Sequence, residues 1–143
     1  MTAIDTNVLI GIIVASSAHH SEIMDGLENL DDELCTTPTN IGEVLRLLTH
    51  SQVFSSPLKI EKAVETLSQL LDAYDIRILD EDTNWWIELS EITKQIPGLK
   101  GNEVFDARIA LCLKQHKVRR IWTRDADFKK YSFLQVISFF QNK

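Results

Sequence analysis

MTAIDTNVLI, residues 1–10, decides the fold. Ala3 and Ile4 form a short apolar approach that ends abruptly in Asp5-Thr6-Asn7, and the apolar run Val8 to Val14 follows. This pattern predicts a brief buried strand, a polar turn, then a helix or apolar loop. A carboxylate at the end of a buried strand is costly unless a cation, a donor or water receives it. In open α/β sheets, ligands gather at that edge. Asp is equally a favoured helix cap. Taken alone, the stretch leaves Asp5 two roles, cap or ligand.

Working outward, the chain alternates short apolar runs with helical periodicities. His19 to Leu30 carries Ile23, Leu27 and Leu30 at helical spacing, and Leu34-Cys35-Thr36-Thr37 reads as a second strand closed by Pro38. From Thr39 onward, Ile41, Val44, Leu45 and Leu48 share a helix face. Ser56-Pro57 supplies a cap and a first-turn proline for a helix striped by Ile60, Ala63, Val64, Leu67, Leu70, Leu71 and Tyr74. Ile76 to Leu79 is a strand, and Trp85, Leu89, Ile92 and Ile96 stripe a helix that Pro97-Gly98 ends. Val104 to His116 is helical, Arg120 to Thr123 is a strand, and Phe133 to Ile137 is the last strand. Strands alternating with helices predict an α/β sandwich with a mainly parallel sheet and helices on both faces.

At 143 residues the chain is expected to be one domain, residues 1–143, with a core of its own. Cys35 and Cys112 lie in apolar segments without metal-type spacing, as buried thiols in a reducing compartment do. The N-terminal apolar run is too short to span a bilayer and lacks a basic flank, so a cytoplasmic protein with no membrane association is expected. The net charge of −6 argues at first against a polyanionic partner, but its distribution does not. Residues 1–99 carry 5 Lys/Arg against 17 Asp/Glu, whereas residues 100–143 carry 10 against 4. The basic part offers a face for a polyanion, unless it is simply solvated surface.

With 21 acidic residues, position relative to the elements is what distinguishes one from another. Asp5 and Asp125 each follow a predicted buried strand, and two parallel central strands would bring both to one edge. Glu43 lies in the first turns of a helix, where Asn40-x-x-Glu43 resembles a capping box and Arg46 offers an i,i+3 ion pair. Asp106 stands in the first turn of a helix whose same face carries Ala110 and Leu113, which points its carboxylate towards the sheet. Converging carboxylates repel, and some hold a proton unless a cation shares the site. An all-oxygen set without His or Cys suits Mg²⁺ or Mn²⁺ rather than zinc, and such an ion can promote in-line attack on a phosphodiester. His19-His20, His50 and His116 read as exposed or helix-end residues, and Trp85, Trp86 and Trp122 as packing residues.

DTNVL at Asp5, the E-x-x-R helix at Glu43, FDARIA around Asp106 and TRDADF around Asp125 together resemble a PIN domain, and more closely a VapC-type toxin ribonuclease of bacterial toxin–antitoxin pairs. EVLRLLTHSQVF and GNEVFDARIAL extend the resemblance between these motifs. It implies an α/β/α sandwich with about five strands in the order 3-2-1-4-5. Metal binding and catalysis are carried over onto Asp5, Glu43, Asp106 and Asp125, with Asp127 as a further candidate ligand. Thr6, Asn7 and Thr123 are implied to orient carboxylates or water. The resemblance further implies a Mg²⁺- or Mn²⁺-dependent endoribonuclease that is a homodimer and is silenced by a cognate antitoxin. Arg124, Arg108 and Lys100 are the candidate RNA-binding residues, with Lys114, Arg119, Arg120, Lys129 and Lys130 in the same basic segment.

Two other classes are open to this pattern. A phosphoryl-handling α/β protein of phosphatase or receiver type would use Asp5 as nucleophile, although the second Asp such a phosphatase needs two places on is here Asn7. A catalytically idle PIN-fold module would keep the architecture for binding partners alone.

Overall fold

In the computed structural model, which describes residues 1–138, five three-residue strands build one sheet. They are β1 (Thr2–Ile4), β2 (Leu34–Thr36), β3 (Ile76–Ile78), β4 (Arg120–Trp122) and β5 (Gln135–Ile137). Their order is β3-β2-β1-β4-β5, every neighbouring pair is parallel, and β1 lies at the centre. The architecture is the α/β one the alternation of elements predicts, in the strand order the resemblance implies.

The pleat of the sheet sorts side chains into two cores. Ala3, Cys35 and Ile121 enter one, beneath α5 (Trp85–Ile92) and α6 (Glu103–Gln115). Ile4 and Trp122, both fully buried, enter the other. That second face is covered by α1 (Thr6–Ile13), α2 (His20–Asn29), α3 (Pro38–Leu48) and α4 (Ile60–Ala73). The stripes do the covering: Ala63, Leu67 and Leu70 of α4 are buried, while Ile60 and Val64 on its outer side are half exposed. Each fully buried aliphatic side chain contributes about 1.5–3 kcal/mol through removal from water. Cys35 and Cys112 are free thiols in the same core, and burial pushes them up to about 12 and about 11. Among the described residues, no helix is long and apolar enough to cross a membrane.

Local signals placed several boundaries differently. Helix α3 begins one turn before the expected capping box: Thr37 is its cap, its Oγ1 accepting from Asn40 N–H, and Pro38 occupies the first turn. Proline supplies the preset φ there, and Asn40 is released for other work. Ser56-Pro57 does not start α4, whose cap position is Lys59; residues 50–58 are instead a loop tied back by Leu58 N–H to the Leu48 carbonyl. Helix α5 stops at Ile92, one turn short of Ile96, and β5 excludes Phe133. Lys117, at φ 58°, turns the chain from α6 into β4 in the left-handed region that glycine usually fills. Gly11 is fixed for a different reason: a Cβ there would collide with Ile23 Cδ1, so helices α1 and α2 cross with no room for a methyl.

Candidate active site

Because all five strands are parallel, their carboxyl ends share one edge, and Asp5 and Thr123 follow the adjacent central strands β1 and β4 there. Asp5 N–H donates to the Trp122 carbonyl at 3.1 Å, which fixes the backbone at the strand end. The carboxylate is 6% exposed. Its Oδ1 accepts from Thr6 N–H at 2.8 Å and Asn40 Nδ2 at 3.0 Å, and its Oδ2 accepts from Thr123 Oγ1 at 2.6 Å. Asp5 is therefore the cap of α1 as well as a site candidate, and the two roles are compatible. Neither Thr6 nor Asn7 takes the capping role.

Around Asp5 the expected orienting residues form a connected network. Thr123 is fully buried and its hydroxyl, having donated to Asp5, accepts from Asn7 Nδ2 at 3.2 Å and from Asp125 N–H at 2.9 Å. Thr6 Oγ1 donates to Glu43 Oε2 at 2.6 Å and accepts from Asn40 Nδ2 at 3.0 Å. Glu43 thus reaches the strand edge from α3, and the expected ion pair with Arg46 does not form. Asn40 is the residue that sequence reasoning missed: buried, it donates to both Asp5 and Thr6 while its Oδ1 accepts from Thr37 Oγ1. Its signal was present, a polar side chain on the apolar-flanked face one turn before Glu43, but it was absorbed into the capping-box reading.

Asp106, in the first turn of α6, points inward above the buried Ala110 and Leu113 as its spacing predicts. Desolvation, and then the charges of Asp5, Asp125 and Glu43, push its carboxyl up to about 7, with Lys130 opposing. Four acids from four separate segments therefore act on one another. Asp5 is raised to about 6, first by burial and also by Glu43, although the bonds from Thr123, Thr6 and Asn40 favour its charged form. Asp125 Oδ1 accepts from Asp127 N–H at 2.9 Å and caps the 3-10 turn Ala126–Lys130. Asp127 itself is exposed, and its charge is felt at Tyr131, which burial raises first, followed by Asp106, Glu103 and Asp127.

Among the described residues, no three His, Cys, Asp or Glu side chains close into a ready-made metal cage. The fit to a cation rests on charge and donor chemistry instead. Two carboxyls are held well above their ordinary value, first by burial and then by neighbouring acids, and a bound cation would oppose both shifts. The donors are hard oxygens, and Mg²⁺ commonly binds through one or two carboxylates while keeping several waters, so a closed cage is not required.

Beside the acids, a cleft of about 650 Å³ runs between α3 and α6 and includes Thr39, Glu43, Arg46, Phe105 and Asp106. A larger cleft, about 840 Å³, lies at the opposite sheet edge among Asp31, Asp32, Asp75 and Arg77, away from the four acids. The basic residues are more dispersed than the charge count promised. Arg108 lines the acidic cleft, yet its guanidinium is held bidentately by Glu81 at 2.6 Å and lies 3.9 Å over the Trp85 ring. Arg120 pairs with Asp32 at 3.3 Å and Lys130 with Glu103 at 3.8 Å. Arg124 is exposed beside the site, its N–H donating to Asn7 Oδ1 at 3.3 Å, and Lys100 is exposed on the loop before α6.

Comparison with known proteins agrees with this geometry. The PIN domain family model matches residues 2–134. Ribonuclease VapC48 of Mycobacterium tuberculosis is 28% identical over 99 residues, 69% of this chain and 67% of that protein. Among solved structures, Mycobacterium tuberculosis VapC20, a sarcin–ricin-loop-cleaving toxin, superimposes with a TM-score of 0.71 at 16% identity over 94% of this chain and 97% of its own. VapBC2 of Rickettsia felis, bound to a DNA fragment from its promoter, gives 0.68 at 18% identity over 96% and 97%.

Proposed function

Since the chain belongs to the PIN domain family, we propose that it is a metal-dependent endoribonuclease, the toxin of a toxin–antitoxin pair, formed by a single PIN domain over residues 1–143. The observation that carries this reading is the mutual action of Asp5, Glu43, Asp106 and Asp125 at the carboxyl edge of the sheet. The VapC names of its relatives support the ribonuclease activity, and the VapBC complexes among its structural neighbours support a cognate antitoxin. A homodimer is part of the same proposal.

Asp5, Glu43, Asp106 and Asp125 would hold Mg²⁺ or Mn²⁺, with Asp127 further out. The cation supplies Lewis-acid polarisation of phosphate oxygen and neutralises charge developing during in-line hydrolysis. The chain's own residues do the rest. Thr123, Asn40 and the Thr6 N–H immobilise the Asp5 carboxylate, so that one orientation is presented to the ion and no rearrangement is needed on binding. Thr6 fixes Glu43 in the same way. Asp106, half-buried, has its carboxyl raised to about 7 by burial and then by its acidic neighbours, and a bound cation would favour its charged form. Arg124, beside Asn7, and the exposed Lys100 would supply phosphate contacts, while Arg108 is already engaged by Glu81.

The phosphoryl-transfer alternative fits poorly. Asn7, where a second acid would act, is bound to Thr123 and Arg124. The test is incubation of the purified protein with total cellular RNA, with Mg²⁺, Mn²⁺ or chelator, and mapping of new ends. Metal-dependent cleavage lost in Asp5→Asn is the expected result. Cleavage that persists in chelator, or that Asp5→Asn retains in full, overturns the proposal.

A further inference from the structure

Phe105 immediately precedes Asp106 in α6, yet its ring is 49% exposed. Neighbouring residues on the helix are absorbed by the core, namely Ala107 and the run from Ile109 through Leu113. Single exposed apolar residues are ordinary. The setting of this one is not: of the large exposed hydrophobic side chains among the described residues, Phe105 lines the cleft that contains Glu43 and Asp106.

A second, independent feature faces the same space. Arg46, one turn after Glu43 on α3, lines the same cleft; it is exposed and forms no ion pair among the described residues, in contrast to Arg108. At about 650 Å³, the cleft falls in the range that encloses small ligands.

We propose that this cleft is a nucleotide subsite in which Phe105 stacks on an unpaired base beside the scissile phosphate and Arg46 contacts the phosphate of that nucleotide. The inference rests on the ribonuclease reading and adds to it how the strand is gripped. Single strands are held by bases stacked on aromatic faces beside positive charge that tracks the backbone, and an exposed aromatic ring and an unpaired guanidinium are the parts required. An acidic centre alone repels the substrate it must cut; this wall supplies the attraction next to it. The adjacency of Phe105 and Asp106 on α6 couples base stacking directly to the placement of the neighbouring phosphate.

The test compares wild type with Phe105→Ala, Phe105→Trp and Arg46→Gln. Cleavage of total RNA in Mn²⁺ first establishes the activity of the wild type, and KM and kcat are then measured on one cleaved fragment. Binding is read separately, in chelator, from the quenching of a single aminopurine placed at successive positions of a short single-stranded RNA with that sequence. Loss of one stack corresponds to roughly a ten-fold weakening. Phe105→Ala is expected to raise KM by about that factor with kcat nearly unchanged and to abolish quenching at one position, while Phe105→Trp restores both. Arg46→Gln raises KM several-fold without lowering the melting temperature. A wild-type enzyme that cleaves, beside a Phe105→Ala variant of equal KM and equal quenching, overturns the subsite and leaves the ribonuclease reading intact. Phe105→Ala that binds RNA normally but no longer binds its antitoxin assigns the ring to a protein contact and likewise overturns it. A wild type that cuts no RNA under any metal condition overturns the ribonuclease reading and the subsite with it.

Discussion

Replacing Asp106 by Asn separates what this residue does for activity from what it does for stability. The carboxyl is ordinarily at 3.8 and stands at about 7 in the folded protein, raised by burial and then by Asp5, Asp125 and Glu43. A group whose folded value is raised in this way binds its proton more tightly folded than unfolded. The metal-free protein therefore loses stability as pH rises from about 4 to about 7. At ~1.4 kcal/mol per pH unit, and discounted for partial exposure, the ionised side chain destabilises the metal-free fold by on the order of 2–3 kcal/mol above that window. Asn keeps the shape and cannot ionise. In chelator at pH 8, Asp106→Asn should therefore unfold in urea with a free energy higher by roughly that amount, ~2–3 kcal/mol, and the advantage should vanish near pH 4. Saturating Mn²⁺ should reverse the order, because the ion stabilises the wild type in proportion to its affinity and the variant much less. RNA cleavage should be abolished throughout. A variant no more stable than wild type at pH 8 in chelator would refute the claim that Asp106 sits in an uncompensated acidic field, and full cleavage by it would remove Asp106 from the site.

Three further substitutions probe the support around the acids. Thr123→Val preserves volume but removes the donor to Asp5 and the acceptor for Asn7 and Asp125 N–H; titration calorimetry should show Mn²⁺ affinity reduced about 10–100-fold. Gly11→Ala forces a methyl into Ile23 Cδ1, and thermal melting should reveal a loss of about 1–3 kcal/mol, with cleavage per folded molecule unchanged. Lys117→Gly relieves the left-handed strain at φ 58°, and chemical denaturation should show a gain of about 1 kcal/mol.

The mainly parallel sheet and the convergence of Asp5, Asp106 and Asp125 were legible because each depends on short-range periodicity combined with the rules of parallel sheets, whereas the strand order came from the resemblance to PIN domains. Asp106 is the clearest case, since its inward direction follows from Ala110 and Leu113 on its own helix. What escaped notice depends on partners far along the chain. Arg108 reads as a phosphate contact until Glu81, 27 positions away, is seen to hold it. Arg120 belongs to the opposite edge of the sheet, with Asp32. Asn40 and Glu43 were assigned to each other by a local motif, whereas both are claimed by the DTN turn: Asn40 by Asp5 and Thr6, Glu43 by Thr6. Local patterns competed with long-range hydrogen bonds at the site, and there the long-range bonds prevailed.

The hydrogen bond from Thr123 to Asp5 spans 118 positions, and the central strand β1 finds its β4 partner at the same remove. During translation at about 5–20 residues per second, β1 waits on the order of ten seconds with one edge unpaired. In that interval the acids brought by α6 and the β4 loop do not yet exist beside Asp5. A partly made chain consequently lacks the assembled acidic site. The four acids come together only when the last third folds onto the first, so a metal-dependent activity of this site would arise only on completion of the fold.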